Sequence, residues 1–120
     1  MKKVDVIINT YMLSKLQSVL VRYKLPGATV SNVQGMGIQA GQGSSYYSGA
    51  DLEPHMRPKT RVEFVVEDKH VEKVIEAVVK ELHTGNKGDG KIFIYDVADA
   101  VRIRTGERGV DAIKQDNSLR

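Results

Sequence analysis

Cysteine is absent from all 120 residues, so neither a disulfide framework nor a thiolate metal site can form, and nothing points to secretion. The three histidines, His55, His70 and His83, are scattered and lack the spacing of a metal-ligand set. No stretch approaches the roughly 20 apolar residues that cross a bilayer. Met1-Lys2-Lys3 runs straight into a strand-like pattern without a cleavage site, so a soluble, cytoplasmic protein is expected. Charge of one sign is lacking as well. The 18 basic and 15 acidic residues give a net charge of +3, dispersed along the chain, and no nucleic-acid partner is expected. What the chain does have is 41% apolar residues, enough at this length for one domain with a core and too little for two.

The periodicities order that domain. Val4 to Asn9 reads as a strand, and Ser14-Lys15-Leu16-Gln17 has the form of a capping box that starts a helix. Leu16, Val19, Leu20 and Tyr23 mark one buried stripe before Pro26-Gly27 breaks the run. Ala28 to Gln34 is a second strand, and Thr60 to Val66 a third with polar and apolar residues in alternation. Asp68 can cap a second helix whose apolar face is Val71, Val74, Ile75, Val78, Val79 and Leu82. Lys91 to Tyr95 closes the series as a fourth strand, with Val101 to Arg104 as a short extended piece beyond it. The order βαββαβ predicts an α+β, ferredoxin-like sandwich. Its two helices cover one face of the sheet, and because strands one and four read as apolar on both faces, self-association is expected.

Two segments stand outside this pattern. Residues 35–58 carry five glycines, Pro54 and Pro58, and no helical or strand period. A loop of that length inside a compact domain is usually functional, and Tyr46 and Tyr47 near its tip suit a docking role. Its opening, Gly35-Met36-Gly37-Ile38-Gln39-Ala40, fits a dinucleotide fingerprint on paper, but glycine and serine follow where a helix must begin. Gly85-Asn86-Lys87-Gly88-Asp89-Gly90-Lys91 similarly imitates a P-loop. Ile92 stands where a magnesium-binding hydroxyl belongs, and a strand follows instead of a helix, so that reading is rejected. The glycines can still form an anion-binding nest beside Lys87 and Lys91, with phosphate as the natural ligand, although a plain turn has the same composition. Arg102 and Arg104 favour phosphate, because residues two apart on an extended chain point to one side and offer paired fork donors. They could equally face Asp99 and Glu107 as surface cations. Asp89 suits a turn former or a hydroxyl acceptor better than a general base, and no catalytic dyad or triad is visible.

Thr84 to Phe93 followed by Val101 to Gly109 resembles the C-terminal signature of the PII signal-transduction family. The likeness extends through Thr29-Val30, Gly35-x-Gly37-x-Gln39, Tyr47-x-Gly49-Ala50, Pro58-Lys59 and Val71 to Ala77, leaving only residues 114–120 outside it. The resemblance implies a PII-like domain over residues 1–113, with a T-loop over about 36–57 and a C-terminal tail. It also implies a non-enzymatic homotrimer that binds ATP or ADP in clefts between subunits and docks its T-loop into a membrane transporter or enzyme, which would recruit it to the membrane. By the same resemblance Gly88, Asp89, Gly90, Lys91, Arg102 and Arg104 would hold phosphates and ribose. Thr29, Gly35, Gly37, Glu63 and Val65 would line the base and ribose. Gln39, beside Ile38 at the nucleotide, would ligate magnesium through the phosphates, and Lys59 would reach the carboxylate of 2-oxoglutarate.

The departures lie mainly in the T-loop and at the end of the first strand. Leu52 stands where many bacterial members have a uridylylated tyrosine, so that modification is not expected there. Ile38 and Ala40 replace residues that are usually basic, and Asn9-Thr10-Tyr11-Met12-Leu13 replaces a Lys-Pro-Phe-Lys-Leu run. The expectation is therefore an adenine-nucleotide sensor with weak or lost 2-oxoglutarate binding. The alternatives are an ordinary nitrogen and 2-oxoglutarate sensor acting on an ammonium channel or glutamine-synthetase regulation, an ATP-hydrolysing enzyme on the same scaffold, and a metal-tolerance trimer. His55 is the sole candidate base for the enzyme, and the missing cysteines disfavour the metal reading.

Overall fold

The computed structural model describes residues 1–37 and 55–116. Four strands, β1 (Lys2–Ile8), β2 (Thr29–Gly37), β3 (His55–Val66) and β4 (Lys91–Asp96), form one antiparallel sheet in the order β2-β3-β1-β4. Helices α1 (Leu13–Arg22) and α2 (Asp68–Leu82) complete the βαββαβ order, and a four-residue α3 (Val110–Ile113) follows. This is the expected ferredoxin-like sandwich. No helix among the described residues is long and apolar enough to cross a membrane.

Residue parity divides the sheet, since successive strand side chains point to opposite faces. The even positions Val4, Val6, Ile8, Val62, Phe64 and Val66 pack with Leu16, Val19, Leu20, Val71, Val74, Val78 and Leu82 in a buried core. The odd positions face away from the helices. There β1 is not apolar as its composition suggests. Lys3, Asp5, Arg61 and Glu63 form a charged cluster on this open face, in which Arg61 Nη2 donates to Asp5 Oδ2 at 2.9 Å and Lys3 Nζ pairs with Glu63 at 2.7 Å. Asp5 is 2% exposed, and its Oδ1 has no hydrogen-bond partner among the described residues. Phe93 and Tyr95 of β4 flank the cluster, half-exposed, and Lys3 Nζ lies 5.4 Å from the Tyr95 ring centre.

Several local expectations are corrected. The capping box at Ser14 is not used, because a 3-10 turn over Thr10–Met12 leads directly into α1 and places Ser14 inside the helix. There its carbonyl accepts from Ser18 Oγ, the back-bond of a helical serine to the carbonyl four residues earlier. Before Pro26 is reached, α1 ends at Arg22, and Lys24 just beyond it, with φ of 57°, sets a left-handed stop. The amide of Leu25 donates to Leu20 O and that of Lys24 to Val21 O, the paired bonds of a Schellman closure. Tyr23 sits at that end and is half-exposed instead of buried. In α2 the N-cap is Glu67, while Asp68 lies in the first turn and pairs with the Met1 amine at 2.9 Å. Val79 is also more than half exposed, because it lines an open groove between α2 and β4.

Strands β2 and β3 run further than their composition indicates. Their ladder continues through Gly35↔Arg57 and Met36↔Met56 to Gly37↔His55. β1 pairs with β3 only from Thr60 to Val66, so Pro58 lies where β3 has become an edge on that side, a position that tolerates its missing N–H.

Candidate functional site

The glycine-rich turn 84–90 is fastened to Asn9, just past the end of β1, and to Lys59 of β3. Asp89 builds the turn. Its carboxylate accepts from the Thr84 hydroxyl, from the Thr84 amide at 2.9 Å and from the Gly85 amide at 3.1 Å. Those bonds, the Thr84 hydroxyl first among them, hold the carboxyl below its ordinary range. Gly88 and Gly90 have φ of 92° and 119°, which glycine accepts without strain. At Gly90 glycine is also a steric requirement, since a Cβ would lie 2.1 Å from Ile7 O. Lys59 Nζ donates to Asn9 Oδ1 at 2.6 Å and to Gly88 O at 3.3 Å, while Asn9 Nδ2 donates to Gly88 O at 3.2 Å. Gly35 lies against the same lysine, its missing Cβ leaving 3.3 Å to Lys59 Cγ. Lys91 opens β4 opposite Ile7. Gly35, Lys59, Gly88, Asp89, Gly90 and Lys91 are thus neighbours, with Gly37 two residues along the β2 ladder from Gly35.

The remaining nominated residues gather further along β3. Thr29 pairs with Glu63, and both line an open cleft with Val65, Lys3 and Gly27. Val65 also borders a second cleft of about 200 Å³ whose other wall includes Ile113, Lys114 and Gln115. That wall is carried by Arg102, whose Nη2 donates to Lys114 O at 2.6 Å and Asp111 O at 2.9 Å. Lys59 and Val65 are six positions apart on β3, about 20 Å at the usual rise. The two groups are therefore set apart along one strand and are not walls of one pocket.

Arg102 and Arg104 are not on an extended chain. The Val101–Arg108 bridge closes a tight hairpin in which the Arg102 amide donates to Glu107 O and the Gly106 amide to Arg102 O. Even so the two guanidinium groups converge. Arg104 grips Asp116 with Nε at 2.8 Å and Nη2 at 2.6 Å, and Arg102 Nη1 lies 3.2 Å from the same carboxylate. Arg102 Nε also pairs with Glu107 at 3.2 Å, whereas Asp99 goes to Arg108. The Asp116 carboxylate stands where two oxygens of a phosphate could be received, so this pair fits a phosphoryl ligand.

Ile38, Gln39, Ala40, Tyr46, Tyr47 and Leu52 lie outside the described residues, and with them the expected magnesium ligand and the loop tip. Asn9 and Asp116 were missed by the sequence reading. Asn9 had drawn notice only as a departure, and nothing local marks a side chain that meets a turn 79 residues away.

A family model described as Nitrogen regulatory protein P-II matches residues 1–107. The chain belongs to the P-II family. Curated P-II relatives from Rhodospirillum rubrum and Azospirillum brasilense are 44% and 43% identical over 113 residues, spanning 94% of this chain and the whole of each relative. Among solved structures, Arabidopsis thaliana PII bound to citrate superposes with a TM-score of 0.76 at 32% identity, covering 98% of this chain and 94% of that one. A Bacillus subtilis GlnK–ATP complex gives 0.77 at 32% identity, covering 92% and 95%. The family resemblance read from Thr84 to Phe93 and Val101 to Gly109 is thereby established, and with it membership of a family of nitrogen regulators.

Proposed function

We propose that this P-II protein is a non-enzymatic sensor of ADP and ATP that binds nucleotide in clefts between the subunits of a cytoplasmic homotrimer. It signals through the T-loop, about residues 36–57 of a domain spanning 1–113, to a membrane transporter or enzyme. What supports this reading is the separation along β3 of the glycine-turn cluster around Lys59 from the arginine-pair cluster beyond Val65. One holds Gly35, Gly37, Lys59, Gly88, Asp89, Gly90 and Lys91, with Ile38 and Gln39 next along the chain. The other holds Thr29, Glu63, Val65, Arg102 and Arg104. A second copy, set with its arginine end against the glycine end of the first, completes the site.

Two further observations support it. The open sheet face carries half-exposed Phe93 and Tyr95 around a buried Asp5 oxygen that has no hydrogen-bond partner among the described residues, a surface that self-association would cover. At the root of the T-loop Lys59 bonds the glycine turn and Gly35 packs against Lys59, so a ligand at the turn touches the loop's anchor and can bias its conformations. ATP is the ligand of the similar Bacillus GlnK complex, and magnesium would be held by Gln39 through the phosphates. Asp89 is committed to turn amides, and His83 Nδ1 is 4.0 Å from it, beyond hydrogen-bond reach, which gives proton transfer no foothold here. Lys59 already serves two oxygen acceptors, which favours nucleotide sensing over 2-oxoglutarate sensing. The test is calorimetry with ADP, ATP, AMP and 2-oxoglutarate alongside light scattering. A trimer binding ADP and ATP is expected, and a monomer, or a chain indifferent to all four ligands, would overturn the reading.

A further inference from the structure

The tail beyond the family match supplies a residue to the arginine pair. The matched region ends at residue 107, and Asp116 follows nine residues later. Its carboxylate takes both fork nitrogens of Arg104 and one of Arg102, the two side chains whose convergence suits a phosphate. The fit is partly sheltered: Arg102 is 13% exposed at its side chain, and Asp116 35%. Arg102 meanwhile holds the carbonyls of Asp111 and Lys114, so the hairpin fixes the path that delivers Asp116. Gln115, just before it, lines the cleft against Tyr23 and Val66. A carboxylate and a phosphoryl group are both anions that accept bidentate guanidinium bonds, and the pair cannot give the same nitrogens to both.

We infer that Asp116 is an intrinsic occupant of the phosphate-binding arginines, which a nucleotide must displace, so that the tail sets the affinity of the site. The inference rests on the nucleotide reading above. The apparent affinity of such a site is reduced by the fraction of molecules in which the tail is docked. For a partly exposed pair the docked form should predominate modestly, making wild-type binding about three- to tenfold weaker than that of a chain without the competitor. Nucleotide binding would at the same time release Gln115 and its neighbours from the cleft, giving the ligand a second conformational effect remote from the T-loop.

The experiment is titration of ADP into the full chain and into Asp116→Asn, Asp116→Glu and Asp111→Asn. Asp111→Asn makes the same charge change at a side chain that pairs with Lys114 and not with the arginines. Asp116→Asn should bind ADP about three- to tenfold more tightly, with the other two within about twofold of wild type. An unchanged or weaker Asp116→Asn, in a series where wild type binds ADP, removes the tail's role and leaves the proposed function standing. An equal gain in Asp111→Asn also overturns it, by showing that net charge and not the contact is responsible. A series in which no chain binds ADP removes both the inference and the function it rests on.

Discussion

Gly90 and the carbonyl oxygen of Ile7 are so close that a single added carbon would lie 2.1 Å from that oxygen. The glycine turn is thereby keyed to β1 through Gly90, whereas a Cβ at Gly88 would meet only open space. Gly90→Ala should force the turn away from β1 and cost about 2–4 kcal/mol, from clash and positive φ together. Gly88→Ala, with the positive φ alone, should cost about 1 kcal/mol. Thermal melts of the two variants check this, and equal losses would show that the contact with Ile7 is not the constraint.

The charged cluster on the open sheet face makes a second prediction. Asp5 is buried beside Arg61, and Asp5→Ala leaves that guanidinium only Glu63, at 3.2 Å, on a side chain that is 37% exposed. Because that guanidinium keeps access to water, the loss should be about 1–3 kcal/mol, below the usual range for breaking a fully buried pair. Asp5→Ala with Arg61→Leu should recover part of it. A double-mutant cycle in denaturant measures the coupling, and strictly additive losses would show that the pair does not act as a unit.

Acid should weaken the fold through its loops. Asp89 is held below its ordinary pKa by the Thr84 hydroxyl and neighbouring amides, and Asp99 by the Ala100 amide, then Arg108 and the Gly109 amide. A carboxyl depressed in the folded state contributes stability that is present above its unfolded value, about pH 4, and is lost as pH falls through the folded one. Asp89→Asn and Asp99→Asn should therefore melt below wild type at pH 7 and converge with it on the acid side of pH 4. A melting difference that persists unchanged into strong acid would rule out these carboxylates as the cause.

These residues also show what the sequence disclosed. The core stripes of α1 and α2 and the alternation of β3 were legible because burial imposes a period on neighbouring residues. Leu16, Val19, Val74 and Val78 are all buried as expected. The glycine turn and the arginines were legible as composition. What was not legible depends on partners distant in sequence. Ser14 has the right neighbours for a cap, yet the turn before it already starts the helix. Arg102 and Arg104 have the spacing of an extended pair, but hairpin bonds to Glu107 and Gly106 bend them, and Asp116 reunites them. The division of the site into two ends follows from strand register, which no local pattern records.

The binding of 2-oxoglutarate should be weak or lost, with ADP held at least as tightly as ATP. Ile38 and Ala40 replace usually basic neighbours of Gln39, and each missing charge near a partly exposed site is worth on the order of 1 kcal/mol. Lys59, the expected carboxylate donor, already bonds Asn9 and Gly88. Titrating 2-oxoglutarate into protein saturated with magnesium-ATP checks this, and a low-micromolar dissociation constant would return the protein to ordinary nitrogen sensing.

The most direct test of a site shared between copies uses two defective chains. Lys91→Ala damages the glycine end, and Arg102→Ala with Arg104→Ala damages the arginine end. Each homo-oligomer should bind ADP at least about tenfold more weakly than wild type, as expected for lost charge-assisted bonds. If the two chains are refolded together, roughly a quarter of the clefts will unite an intact glycine end with an intact arginine end from different copies. Titration of the mixture should then show wild-type affinity at that fraction of sites. A mixture that binds no better than its two components would contradict the shared site.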